Sequence, residues 1–179
     1  MRRRALALVT AVVAAGALAL GTATEAGASV RGAKAPVCAG KTKKKAIKAI
    51  KKAYDHFLNG AKYPDAVKDK EPYIELLSGS KVNADLKADF EASSAKNAAA
   101  AATTNVDVDK VTCAGKKKAD VIFTLVIGGS RAEGLAPPGA AVLDGKTWKV
   151  TADTLCNLQG LGDATILERE PCASVVAGG

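Results

Sequence analysis

In a sequence of 179 residues, the single histidine and the four cysteines are the side chains whose types most readily do chemistry. His56 stands beside Asp55, and a histidine next to a carboxylate invites the reading of a general base. Both fall in a helical stretch, where neighbours point about 100 degrees apart, so the carboxylate cannot hold the imidazole in place. His56 therefore reads as a surface or boundary residue. A serine nucleophile would need this same histidine, and no Gly-x-Ser-x-Gly turn is present. Transition metals want three or four Cys, His or carboxylate ligands, and one histidine with disulfide-competent cysteines leaves nothing to build a metal site from. Asp107 and Asp109 lack the loop spacing of a calcium site. No phosphate-cradling loop is found either, so neither a cofactor nor an enzymatic activity is expected.

Lysine offers the other chemistry. Lys41, Lys43, Lys44, Lys45, Lys48, Lys51 and Lys52 crowd one helical segment. Lys44, Lys48 and Lys51 are the binding candidates, facing an anionic cell-envelope polymer or lipid head groups. A solvated helix face is the competing reading, because exposed lysine needs no partner. Nucleic acid is not expected: aromatics make up 4% of the chain and no stacking platform accompanies the lysines. Tyr54, Phe57, Tyr73, Phe90, Phe123 and Trp148 either line an apolar pocket or fill the core, and core is the commoner use.

The cysteines take their meaning from the N-terminus. Arg2-Arg3-Arg4 precedes an apolar run from Ala5 to Leu20, followed by Ala26-Gly27-Ala28. This pattern reads as an export signal over residues 1–28, cut between Ala28 and Ser29. The run falls short of the roughly 20 residues a spanning helix needs, so the mature chain keeps no stable membrane span. Cys38, Cys113, Cys156 and Cys172 would then reach an oxidising compartment, where two disulfides are the default. Three pairings are open. A local clip of Cys156 with Cys172 is favoured, leaving Cys38 to tie the start of the first helix to Cys113. In the chain-entropy picture the short loop contributes roughly 3 kcal/mol and the long one roughly 4.5.

The elements that must position these residues change period halfway. Ile47, Ile50, Tyr54, Phe57 and Leu58 recur at three- and four-residue steps, predicting an amphipathic helix over 42–59 stopped by Gly60. A short helix over 65–71 and an alanine-rich one over 83–102 follow. Alternation then predicts strands over 103–113, 119–127, 140–143 and 147–151, with Asp144-Gly145 as a hairpin turn. The run Val121 to Ile127 is dense enough to be covered on both faces, Trp148 is expected half-buried with a partner for its indole, and Asp153 is the expected cap of a last short helix to Gly160. Helices followed by an antiparallel meander make an α+β fold.

From the first helix to the last strand, the chain resembles the actinobacterial secreted low-molecular-weight antigen family. The resemblance rests on Ala119-Asp120-Val121-Ile122-Phe123-Thr124-Leu125, Gly128-Gly129, Pro137-Pro138-Gly139, Val142-Leu143-Asp144-Gly145, Trp148-Lys149-Val150 and Thr154-Leu155-Cys156. It implies a cystatin-like cone of the kind seen in nuclear transport factor relatives, with N-terminal helices packed on a curved antiparallel sheet of about four strands. It implies export and carries no catalytic residues over. The resulting division is a signal peptide (1–28), a flexible leader (29–37), an α+β domain (38–160) and a disulfide-clipped tail (161–179). A secreted, noncatalytic, antigen-like binding module of unknown ligand is expected. The alternative is a small-molecule isomerase or dehydratase of the same fold, using Tyr54, His56 or a buried aspartate as acid or base.

Overall fold

The lysine-rich segment folds as helix α1 (Lys43–Leu58), burying Ala46, Ile50, Ala53, Tyr54 and Phe57 along one stripe. That three-four spacing stacks side chains on one face and leaves the lysines to solvent. The computed structural model describes residues 35–79 and 82–177. The export signal and its cleavage point at Ala28 and Ser29 lie outside the described residues. Among those described, no helix is long and apolar enough to cross a membrane.

After α1 the chain makes a π-helical turn (Ala66–Lys70) and a 3-10 turn (Glu71–Tyr73) where a short α-helix was expected. Asp65 caps it by accepting the Lys68 N–H at 2.9 Å. The alanine-rich stretch is also not one helix: α2 (Ala84–Lys96) and the single turn α3 (Ala98–Ala101) are separated at Asn97. The Asn97 side-chain amide donates back to Ser93 O at 3.0 Å, the local competition with the helix ladder to which asparagine is prone.

Five strands form one antiparallel sheet: β1 (Thr104–Cys113), β2 (Lys118–Ile127), β3 (Ser130–Ala132), β4 (Gly139–Asp144) and β5 (Thr147–Val150). The main order is β1-β2-β4-β5, and the short β3 pairs the far end of β2 over Leu125 to Ile127. The β4–β5 connection is the two-residue loop Gly145-Lys146, one position later than expected, with Gly145 at φ 57°. The β5 edge is partly covered, since Ile74 bridges Val150 in parallel and Glu75 N–H donates to Val150 O at 2.8 Å. Such covering blunts an edge that would otherwise template further pairing.

Helix α1 packs on β1 at one end of the curled sheet and on β5 at the other. The core between them holds Tyr54, Phe57, Phe90, Phe123 and Trp148. Strand β2 corrects one expectation. Ala119, Val121, Phe123 and Leu125 face the core, whereas on the other face Ile122 is 52% exposed and Thr124 alone is buried, bonded to Asp109 and Arg131. An antiparallel meander, unlike a parallel sheet, leaves its second face to water. Trp148 is another correction: it is 2% exposed rather than half-buried, and its indole N–H finds Pro36 O at 2.8 Å.

Helix α4 (Ala152–Gly162) runs two residues past Gly160, and its cap is Thr151, whose hydroxyl accepts the Thr154 N–H at 3.3 Å. Asp153, the expected cap, sits in the first turn and accepts from Asn157 instead. The extended backbone that a cap requires falls at Thr151, the residue leaving β5. A 3-10 turn (Ala164–Glu168) and helix α5 (Cys172–Ala177) follow. Cys38 is bonded to Cys113 and Cys156 to Cys172, with Cα separations of 5.7 and 5.5 Å.

Candidate ligand-binding groove

One open groove of 840 Å³ runs between the outer side of α1 and β1. Lys45, Lys48, Lys51, Lys52 and Asp55 form its helical wall. Their spacing of three and four residues is the helix period read on the face opposite the core. Ala49, Val106 and Val108 add apolar surface, and Asp107, Asp109 and Arg131 complete the sheet wall.

A β-bulge shapes the sheet wall. Val108 pairs with Phe123 and Lys110 with Ile122, so Asp109 is the extra residue. Bulges re-aim side chains, and here the Asp109 carboxylate accepts from Thr124 Oγ1 at 2.8 Å and from Arg131 Nη2 at 3.1 Å. These two bonds hold the Asp109 carboxyl below its usual range. Arg131 also pairs with Asp107, and through Nε with Glu133 at 2.8 Å. Its guanidinium is thus spent on three carboxylates and has little left for a ligand.

The helical wall differs. Lys51 donates to Val108 O at 2.9 Å, bracing α1 against the bulged strand. Burial pushes the Asp55 carboxyl up, but bonds from Asn59 and Lys62, each at 3.0 Å, outweigh it and hold the group below its usual range. Lys52 lies 5.6 Å over the Tyr73 ring. Lys45 and Lys48 enter no ion pair among the described residues. Lys45, Lys48 and Lys52 are therefore the cations this groove presents, while Lys44 is exposed on α1 outside its lining. Of the three lysines singled out from the sequence, two line the groove, and Lys51 is there as a brace.

None of the six aromatic candidates lines the groove. Tyr54, Phe57, Phe90, Phe123 and Trp148 are core residues, and Tyr73 is half-buried. The Tyr54 hydroxyl donates to Ala140 O at 3.0 Å, and burial pushes the phenol well above its ordinary pKa. His56 is stacked between Tyr63 and Tyr73, with centroids 3.7 and 4.1 Å away, and its Nδ1 lies 3.0 Å from Asp69 O. Burial lowers its pKa. Neither Tyr54 nor His56 reaches the groove.

The sequence named Lys45 and Lys52 only within the lysine-rich stripe, left Arg131 out of the site, and left the three-ring stack unseen. The stack depends on the turn after Asn59 carrying Tyr63 back over α1, which no periodicity encodes. Arg131 had one signal, a lone arginine between two glycine-containing turns, but two of its three carboxylate partners, Asp107 and Asp109, lie more than twenty positions away.

Residues 44–165 match the family model described as "Low molecular weight antigen MTB12, C-terminal domain". This span includes every residue that lines the groove. No curated protein and no solved structure matches the chain.

Proposed function

The chain belongs to the family of the low molecular weight antigen MTB12 C-terminal domain, and we propose that it is a secreted, noncatalytic module that binds an anionic cell-envelope polymer in the groove between α1 and β1. The observation that carries this reading is the set Lys45, Lys48 and Lys52 on one wall of an open 840 Å³ groove, with the opposing arginine already paired.

Physical cost supports it. Helix α1 begins Lys43-Lys44-Lys45 with no acidic residue in its first turn, at the end where the helix dipole is positive. Further lysines three and four positions on repel these, each like pair costing roughly 0.2 to 0.5 kcal/mol. A bound polyanion relieves both penalties, which gives the arrangement a use that a merely soluble face does not need. Concavity favours a polymer chain over a bilayer, because a flat surface meets the rim lysines but not Ala49, Val106 and Val108. Export is supported by the Arg-rich start, the apolar run and the Ala-x-Ala end of residues 1–28, and by the two disulfides, which persist in oxidising compartments.

The test is retention of the purified protein on cell-wall preparations and, separately, on anionic phospholipid vesicles. Binding to the wall polymer that is abolished by Lys45→Glu, Lys48→Glu and Lys52→Glu together, and by 1 M salt where the screening length is about 3 Å, is the expected result. Retention indifferent to salt and charge reversal would overturn the reading, and retention on vesicles alone would replace the polymer by lipid head groups.

A further inference from the structure

A second cleft, 280 Å³ in volume, lies between α2 and the C-terminal segment and shares no residue with the groove. Asp89 and Lys96 line it from α2, and Gln159, Asp163 and Arg169 from the other side.

Gln159 is the reason to look for a ligand. Both its Oε1 and its Nε2 are buried from solvent, and neither has a hydrogen-bond partner among the described residues. Buried amides are almost always satisfied, because an unmade bond forfeits the hydration that burial removed. An amide with donor and acceptor both unspent matches a group that offers an acceptor and a donor side by side, which is what a peptide bond does.

The charges around it extend the match. Asp163 is already engaged, accepting from Thr165 N–H at 3.1 Å and from Thr165 Oγ1 at 2.6 Å as cap of the following 3-10 turn. Asp89, Lys96 and Arg169 make no side-chain ion pair or hydrogen bond among the described residues. Asp163 keeps its negative charge, on which Lys96 and Arg169 both act, so the lining balances two carboxylates with two cations around one orphan amide. At 280 Å³ the cleft lies just below the roughly 300 to 1,000 Å³ of pockets for drug-sized ligands, so its occupant is small.

We infer that this cleft binds a short zwitterionic peptide of dipeptide size, its ammonium towards Asp89, its carboxylate towards Lys96 and Arg169, and its amide on Gln159, whose side chain gives up no hydrogen bond when it turns out of its buried position into the cleft. The reading is independent of the groove. Gln159, Asp163 and Arg169 all lie inside the loop closed by Cys156 and Cys172, so the disulfide that orders this segment also orders the cleft.

The experiment titrates the isotopically labelled, disulfide-intact protein with alanyl-alanine and follows the side-chain amide resonances of Gln159. A saturable shift at millimolar peptide is expected. N-acetyl-alanyl-alanine and alanyl-alanine amide, each lacking one charge, should bind about tenfold more weakly, a loss of about 1.4 kcal/mol. D,D and L,L forms distinguish an envelope peptide from a product of proteolysis, and preference for either supports the proposal. Gln159→Leu, followed through the backbone amide resonances of Asp163 and Arg169 instead, should abolish the titration while thermal stability is kept or raised, since no protein hydrogen bond is removed. Lys96→Glu with Arg169→Glu, both exposed, should abolish it in a folded protein regardless of how Gln159→Leu behaves. Unmoved Gln159 resonances, or equal binding of the blocked and unblocked peptides, would overturn it. Lys45→Glu, Lys48→Glu and Lys52→Glu should leave the titration unchanged, so failure here and failure of the groove reading remain distinguishable.

Discussion

Lys51 Nζ and Val108 O are 2.9 Å apart, although 57 positions separate the residues. This bond joins the lysine face of α1 to the bulged part of β1, so one of the groove's lysines braces the walls between which the others stand. Lys51→Met should lower stability by up to about 1 kcal/mol, the net worth of one hydrogen bond. Lys48→Met should leave it unchanged. Urea unfolding of the two variants beside the parent measures this, and equal midpoints would show that the bond contributes nothing.

Trp148 and Pro36 form a second long-range bond, 2.8 Å across 112 positions. Removing residues up to Val37 should open the indole to water and deprive its N–H of a partner. Because this is the only tryptophan, its fluorescence reports the change without ambiguity. A red-shifted emission with lower thermal stability is expected, and an unshifted spectrum would mean the indole is shielded by other residues.

Gly139 begins β4 where a side chain has no room. A Cβ there would collide with Tyr54 Oη, come within 2.9 Å of the Phe123 ring and lie 3.1 Å from Thr154 Cγ2. Gly139→Ala should cost about 1 to 3 kcal/mol through overpacking. Tyr54→Phe, which loses the bond to Ala140 O, should cost about 1 kcal/mol. Combined, the two should cost less than their sum, because the phenylalanine removes the atom that the new methyl strikes. Strict additivity in a double-mutant cycle would contradict this packing.

His56 carries a pH dependence whose sign is set by its surroundings. Burial lowers its pKa in the fold, with the positive charge of Lys52 adding to this and the bond to Asp69 O opposing it. The unfolded chain then takes up the proton more readily than the folded one. Its contribution to stability is complete above the ordinary histidine value of about 6.5 and is lost as pH falls through that value towards the lower folded one. Being the single histidine, its imidazole can be titrated directly by NMR. A folded pKa at or above the ordinary value would reject the stacked, desolvated environment.

Whatever depends on near neighbours was legible in the order of the residues. Ile50, Tyr54 and Phe57 announce the buried stripe of α1 through their spacing, and the alternation from Thr104 onward announces strands. Together they are enough for an α+β fold, while the family rests on the resemblance of the motifs between Ala119 and Cys156. Locally ambiguous chemistry misled it: Asn97 interrupts what alanine content makes look continuous, and Thr151 takes the cap from Asp153 because backbone direction at the end of β5 decides the matter. Tertiary structure alone decided the sites. The groove, the Arg131 cluster, the His56 stack and the unsatisfied Gln159 are meetings of residues far apart in sequence. Such meetings follow from how the sheet curls and where the chain returns, and hydrophobic periodicity, which records only which face is buried, carries no information about them.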